Sequence, residues 1–324
     1  MRRERKYATT VCIFLLIQLV FTIDVAGINI TTGSQQHDLV VDKSGNGDFT
    51  SIQQAIDYAR SGSTVYVKSG EYTEIVEIKK SLSLVGEDKE STLINPISEE
   101  NKYAVYVGVP NVVVSGFTIT NGAPGLYPQS IKIVADSNKI SDCNIFDTSV
   151  GIAIWTNNNI IENCVFKGCR DEGIALLGSK NNPCNYNTIS NCVFYSNCDG
   201  IELQYSSENT ISYCEIYENT HSGIDAIASN NNKNIISNCN IYSNNVHGIY
   251  LSSSKENKIV NCEIKNNVDG DIIMNKYSTD NEIINDDSSK SDKSIRQTFF
   301  KNFFEIISNL NIERFQNIID NLGF

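Results

Sequence analysis

Residues 187–208 read NTISNCVFYSNCDGIELQYSSE, and residues 209–233, directly after them, read NTISYCEIYENTHSGIDAIASNNNK. The two lines are nearly the same sentence, and the chain repeats it with variations. A leading asparagine recurs at Asn111, Asn138, Asn159, Asn187, Asn209, Asn234, Asn257 and Asn281, at intervals of 21 to 28 residues. Five positions later stand Gly116, Cys143, Cys164, Cys192, Cys214, Cys239, Cys262 and Asp286, and after the cysteines a glycine follows at Gly151, Gly173, Gly200, Gly223, Gly248 and Gly270. A fixed period of this length marks a solenoid, in which each unit buries its apolar face only against its neighbours.

Within a unit the apolar residues alternate, as in Gly200-Ile201-Glu202-Leu203-Gln204 and Gly248-Ile249-Tyr250-Leu251-Ser252, with Ile and Leu turned inward. That is strand periodicity. Two or three short strands per unit, bounded by Asn, Gly and Ser, make one coil of an all-β, right-handed parallel β-helix whose coils stack about 4.8 Å apart. The leading asparagines are expected to occupy left-handed turns and to hydrogen-bond to one another from coil to coil, and Asn197, Asn219, Asn244 and Asn267 to do the same at a second corner.

The units resemble the right-handed parallel β-helix repeats of polysaccharide-acting proteins and of the NosD-like family of exported proteins. Residues 38–95 add to this: the stretch from His37 to Glu87, HDLVVDKSGNGDFTSIQQAIDYARSGSTVYVKSGEYTEIVEIKKSLSLVGE, resembles the opening segment shared by pectinesterase-like β-helix proteins, in which a short helix covers the first coil. Ser51 or Thr50 would cap that helix, with Ile52, Ala55, Ile56 and Ala59 turned onto the open end. The resemblance spans about residues 38–286 and implies a fold that hosts lyases, hydrolases, epimerases and inert surface proteins alike.

The flanks read differently. Residues 1–27 carry a basic start (Arg2, Arg3, Arg5, Lys6), an apolar run and small residues at Val25-Ala26-Gly27, the pattern of a secretory signal peptide or of an N-terminal anchor, so a secreted or cell-surface location is expected. Residues 287–294 form a polar linker, and residues 295–324 have the apolar spacing of two short amphipathic helices, suited to capping the last coil, meeting a partner protein or touching a membrane surface. The net charge of −12, without a Lys/Arg cluster beyond the first residues, argues against a nucleic-acid partner.

Ten cysteines in an exported chain suggest disulfides. Six of them, Cys143, Cys164, Cys192, Cys214, Cys239 and Cys262, share one column flanked by apolar residues, where a buried stack of small thiols is the better reading. Cys169, standing where the second Asn column begins, and Cys198 in the next coil are the pair best placed for a disulfide; Cys184 lies on the longest insertion.

Function belongs where outward positions vary, beside the glycine column. Consecutive coils there stack Asp199 and Glu202 on His221 and Asp225, and these on His247 and Tyr250, with Arg170 upstream as the one basic residue and Trp155 outward two coils earlier. Neighbouring carboxylates with imidazoles alongside can perturb one another's proton affinity and serve as acid and base on a sugar, while Trp155 and Tyr250 offer ring faces for stacking. The same residues are also those that satisfy turn backbone in an acidic protein. No cofactor is required, although Ca2+ could be held by Asp199, Glu202 and Asp225. The NosD resemblance would add copper maturation, for which Met274 and few histidines offer little to Cu(I). Three functions therefore stand in order: a polysaccharide-binding and processing β-helix, a non-catalytic structural or adhesive surface protein, and metal-centre maturation.

Overall fold

A computed structural model of the chain describes residues 38–96, 102–125 and 127–285. The leader, the linker and the two C-terminal amphipathic segments read from the sequence lie outside the described residues. Within them the chain winds into a parallel solenoid with three sheets, of eleven, nine and nine strands, each coil contributing one strand to each sheet in turn. The strand pairs are parallel and in register, so that one inward row of the first sheet runs Leu84, Val114, Ile140, Ile161, Ile189, Ile211, Ile236 and Ile259. All are at most 1% exposed, so the interior is a continuous apolar column, and on the second sheet Phe166 stacks flat on Phe194 with centroids 4.7 Å apart. Between Asn138 and Asn281 there is no helix.

The helix Ile52–Tyr58 begins at Ser51, whose Oγ accepts the amide of Gln54, and it lays Ile52, Ala55 and Ile56 on the core. Glu74 accepts the first two helical amides, Ile52 N at 2.8 Å and Gln53 N at 3.0 Å, which no residue inside the helix can take. No helix among the described residues is long and apolar enough to cross a membrane.

The asparagine ladder forms, with one correction of position. Each Asn sends its backbone N–H and its Nδ2 to the Oδ1 of the Asn one coil on: Asn187 to Asn209 at 2.8 and 3.1 Å, Asn209 to Asn234 at 2.9 and 3.1 Å, Asn234 to Asn257 at 2.8 and 3.1 Å. Asn138 and Asn159 extend it upstream, and all are buried. The left-handed residue is not the Asn but the one before it: Ser137, Asn158, Tyr186, Glu208, Lys233, Glu256 and Asp280 have φ of 55° to 62°. Turning the chain one residue earlier frees the Asn side chain to point inward. Asn111, at φ 59°, is itself such a preceding residue, and Val112 takes the ladder place by donating to Asn138 Oδ1 at 2.9 Å. The second column runs from Asn197 through Asn219 and Asn244 to Asn267, and ends on Asp271 Oδ1.

The cysteine column is a stack of free thiols, five of them buried and Cys262 half-buried, each Sγ donating to the carbonyl two residues back at 3.2 to 3.5 Å. Burial pushes the Cys192 thiol up from its ordinary value. Cys169 and Cys198 are also free, against the sequence expectation. Cys169 N–H donates to Asn197 Oδ1, so Cys169 is aligned with Asn197 and Cys198 stands one residue out of register with it. Cys184 is not on the surface but in the core.

Outside the second sheet, Tyr195, Tyr217 and Tyr242 stack nearly coplanar at 5.4 and 5.1 Å. Glu215 lies beside them, 5% exposed, one oxygen accepting the Tyr242 hydroxyl at 2.9 Å and the other without a hydrogen-bond partner.

Two predictions follow from these columns. Asn209→Ala leaves the buried Asn187 N–H without its acceptor and takes the Nδ2 donor away from Cys184 O and Asn234 Oδ1, and should lower stability in urea unfolding by about 3 kcal/mol, against about 1 to 2 kcal/mol for the small cavity of Cys214→Ala. Equal losses would remove the ladder from its place as the main polar support. Burial raises the Glu215 carboxyl above its ordinary value, so the folded chain holds that proton more tightly than the unfolded chain, and the associated stability is lost as pH rises through the folded value. Glu215→Gln lacks this loss, and its stability relative to the parent should grow by on the order of 1 kcal/mol between pH 4 and pH 8; a gap that does not change with pH contradicts it.

Candidate functional site

The third sheet carries the site. Its strands Glu172–Leu177, Asp199–Gln204, Ile224–Ala226 and His247–Leu251 lie side by side, with Ile174, Ile201, Ile224 and Ile249 inward. Gly173, Gly200 and Gly248 are the second residues of their strands and Gly223 directly precedes its own, and glycine stands there because backbone passes too close for a side chain: a Cβ on Gly200 would lie 2.5 Å from Gly223 O, and one on Gly223 2.7 Å from Gly248 O. The outward row next to them reads Lys132, Ala153, Ala175, Glu202, Asp225, Tyr250 and Ile273. Counting two residues on from Gly270, as from the other glycines, would reach Ile272; the final coil is shifted because Gly270 pairs with His247 rather than with Gly248.

Three of the expected residues converge. Asp199 Oδ1 lies 2.8 Å from His221 Nδ1 and accepts the backbone N–H of Ser222 at 2.7 Å. Asp225 Oδ2 is 3.7 Å from the same nitrogen, the two residues four apart in one coil. The carboxylates are 9% and 6% exposed and the imidazole 42%, so the cluster is buried on the protein side and open at the ring. Asp225 Oδ1 is buried without a hydrogen-bond partner.

Glu202 belongs to a neighbouring pair instead. It accepts a hydrogen bond from Glu172, which faces Asp199 across the sheet. Burial, with Glu202 and Asp171 close by, pushes the Glu172 carboxyl up to about 10, which leaves it the proton holder of the pair. Burial also raises Glu202 to about 7 and Asp225 to about 7, the latter with Asp199 adding repulsion, and raises Asp199 less because His221 and Ser222 stabilise its charge. Carboxyls that hold a proton near neutrality beside an imidazole can donate and accept protons at an adjoining sugar.

His247 stays outside the cluster. Its ring stacks on Tyr250 at 5.1 Å, its Nδ1 is buried and unpartnered, and burial lowers its proton affinity. Arg170 turns away from the acids, with Nη2 donating to Ala123 O at 3.3 Å.

Upstream on the same sheet a groove of about 600 Å³ is lined by Trp155, Leu177, Gln204, Asn157, Asn181 and Asn182, among others. Trp155 and Leu177 pack over Val150 and the two small residues Ala153 and Ala175, and Lys132 Nζ lies 4.9 Å from the Trp155 ring centre. The sequence reading found Trp155 but passed over Lys132, Leu177 and Gln204. The signal was present: counting two residues on from Glu202 and Ala175 along their strands reaches Gln204 and Leu177 on the same face, and Lys132 stands in the row one coil before Ala153.

The model of the right-handed β-helix region matches residues 129–288, and that of the periplasmic copper-binding protein (NosD) matches residues 56–191. A cell surface glycoprotein of Methanothermus fervidus is 33% identical over 119 residues, covering 36% of this chain and 18% of the glycoprotein. The chain thus spans under a fifth of that relative's length. Among solved structures, the ORF18 protein of Geobacillus virus E2 is similar with a TM-score of 0.57 at 15% identity, covering 72% of this chain and 57% of that one. The A-module of a mannuronan C-5 epimerase from Azotobacter vinelandii gives a TM-score of 0.54 at 17% identity, covering 72% and 90%. The column thiols, which a soft monovalent copper would need, are bonded to backbone carbonyls, and Met274 packs against the core. In-register parallel coils, the repeat that builds them and the match to the right-handed β-helix region lead to one assignment: the chain is a right-handed parallel β-helix repeat protein, with structural neighbours in the pectin lyase-like fold.

Proposed function

We propose that this chain is an exported β-helix protein that binds a cell-surface or environmental polysaccharide along the outer face of the third sheet, and that the acidic cluster is where a bound sugar is processed. The observation that carries the reading is the placement of the Trp155 groove and the Asp199–His221–Asp225 cluster on one rigid sheet. Gln204 lines the groove and Asp199 lies in the cluster, at opposite ends of a single strand. An indole with polar amides around it suits a sugar, whose ring presents C–H to the aromatic face and hydroxyls to the amides. Lys132, one coil before Ala153 in the row, adds a cation that an acidic sugar could meet, which the sequence reading had assigned to Arg170 alone.

Export is supported by the basic and apolar start of the chain and by the relative named a cell surface glycoprotein. Proteins of the same fold include one named a mannuronan C-5 epimerase and one named pectate lyase Pel9A, so polysaccharides are a substrate class this architecture serves. The glycoprotein relative equally favours a second reading, a structural or adhesive surface protein without catalysis.

Binding and turnover on a panel of neutral and acidic glycans separate the two. The parent should retain at least one polymer, Trp155→Ala should weaken retention by about tenfold, the loss of one aromatic contact, and Asp199→Asn should abolish turnover while retaining binding. Retention that is equal for parent and Trp155→Ala, or absent from the parent, would leave the structural reading; retention without turnover in any variant would make the groove a binding site only.

A further inference from the structure

We infer that Asp199, His221 and Asp225 form a binding site for one divalent transition ion of the Zn2+ or Mn2+ class, on the outer face of the third sheet. This site does not depend on the glycan reading, because it is built from donor geometry alone.

Each residue offers one donor atom, and the three atoms lie within 4.8 Å of one another, the one such group of His, Cys, Asp and Glu among the described residues. The two shorter separations, 2.8 Å from Asp199 to His221 and 3.7 Å from His221 to Asp225, bracket the spacing of about 3 to 3.4 Å that ligands hold around an ion bound at about 2.1 Å. A small rotation of the half-exposed imidazole equalises them. The carboxylates cannot drift, since both are more than nine-tenths buried and Asp199 is held by the Ser222 amide.

A second observation is independent of the spacing. Asp225 Oδ1 is buried with no hydrogen-bond partner, although a buried carboxylate oxygen normally has one. The charges around it point the same way. Asp225 faces Glu202 across the strand pair, Asp199 lies in the preceding coil, and Arg170, the basic residue the sequence placed beside this patch, is engaged with Ala123 O. Hydrogen bonds and His221 leave this pocket with more acceptors than donors, which a dication supplies in one step.

The donor set selects the ion. One imidazole nitrogen with two carboxylates suits ions of intermediate softness, whereas Ca2+ and Mg2+ prefer oxygen alone and Cu(I) prefers sulfur. The all-oxygen set of Asp199, Glu202 and Asp225 read from the sequence is replaced here, because Glu202 is hydrogen-bonded to Glu172 and His221 stands between the two aspartates. The exposed edge of His221 leaves the outer coordination positions to water.

The test uses the full chain, stripped with a chelator and titrated calorimetrically with Zn2+, Mn2+ and Ca2+ in separate experiments. One Zn2+ or Mn2+ per chain should bind and raise the melting temperature, Ca2+ should not compete at millimolar concentration, and His221→Ala and Asp225→Asn should each weaken binding at least about tenfold. Both variants are chosen to keep the fold, the first because the ring is half-exposed and the second because it preserves shape, and the chelated melting temperature checks this. X-ray absorption of the Zn2+ form should show nitrogen and oxygen ligands. The inference is overturned if neither Zn2+ nor Mn2+ binds, if the variants bind as the parent does, if Ca2+ binds as tightly and independently of His221, or if sulfur ligands appear.

Discussion

One constraint underlies the molecule: parallel strands from successive coils hydrogen-bond laterally, and this sets their spacing at about 4.8 Å everywhere. Each residue therefore meets its own counterpart one coil above and one below. Inward, that requires side chains that pack on copies of themselves, which is why Ile, Val, Phe and Cys recur in columns and why Phe166 lies flat on Phe194. Asn is the polar residue that can do the same, being donor and acceptor at once, so a column of it saturates itself while wholly buried. The corners depend on that saturation. Tyr186, Glu208 and Lys233 hold a left-handed backbone that costs a non-glycine residue about 1 kcal/mol, and the ladder directly after them keeps the chain turned.

The same spacing makes the outer face a place to build a site. Side chains there are under no demand to repeat, yet they stand on coils as rigid as the core. Asp199, His221 and Asp225 come from two adjacent coils, so their relative positions are set by the backbone hydrogen bonds between coils, Asp199 N to Asp171 O and His221 N to Cys198 O among them. Burial of the two aspartates follows from the coils around them, and with burial come a partly retained proton, an unpartnered oxygen and a charge balance that favours a cation. The groove beside Trp155 arises by a related route: Ala153 and Ala175 are small enough for Trp155 and Leu177 to fold down over them.

The solenoid, its three corners, the thiol stack and the capping helix at Ser51 were legible in the repeat, because a column of identical residues leaves an interval that can be counted. Counting failed where the interval slipped. Asn111 imitates the ladder residue but is the turn before it, and Gly270 imitates the glycine column but pairs with His247. A one-residue offset reverses the face of a strand, and only pairing reveals it.

For the site, the sequence by itself determined which residues could be neighbours: periodicity stacks Asp199 near His221 and Asp225 because coil length is nearly constant. It also determined that six cysteines avoid disulfides, since residues in one column point the same way. The tertiary structure alone decided which neighbours engage. Side-chain rotamers, not register, direct His221 toward both aspartates, tie Glu202 to Glu172, lay His247 on Tyr250 and turn Arg170 toward Ala123. The physical reason is that backbone hydrogen bonds fix where a side chain starts, while burial and the competition among charges fix where it ends.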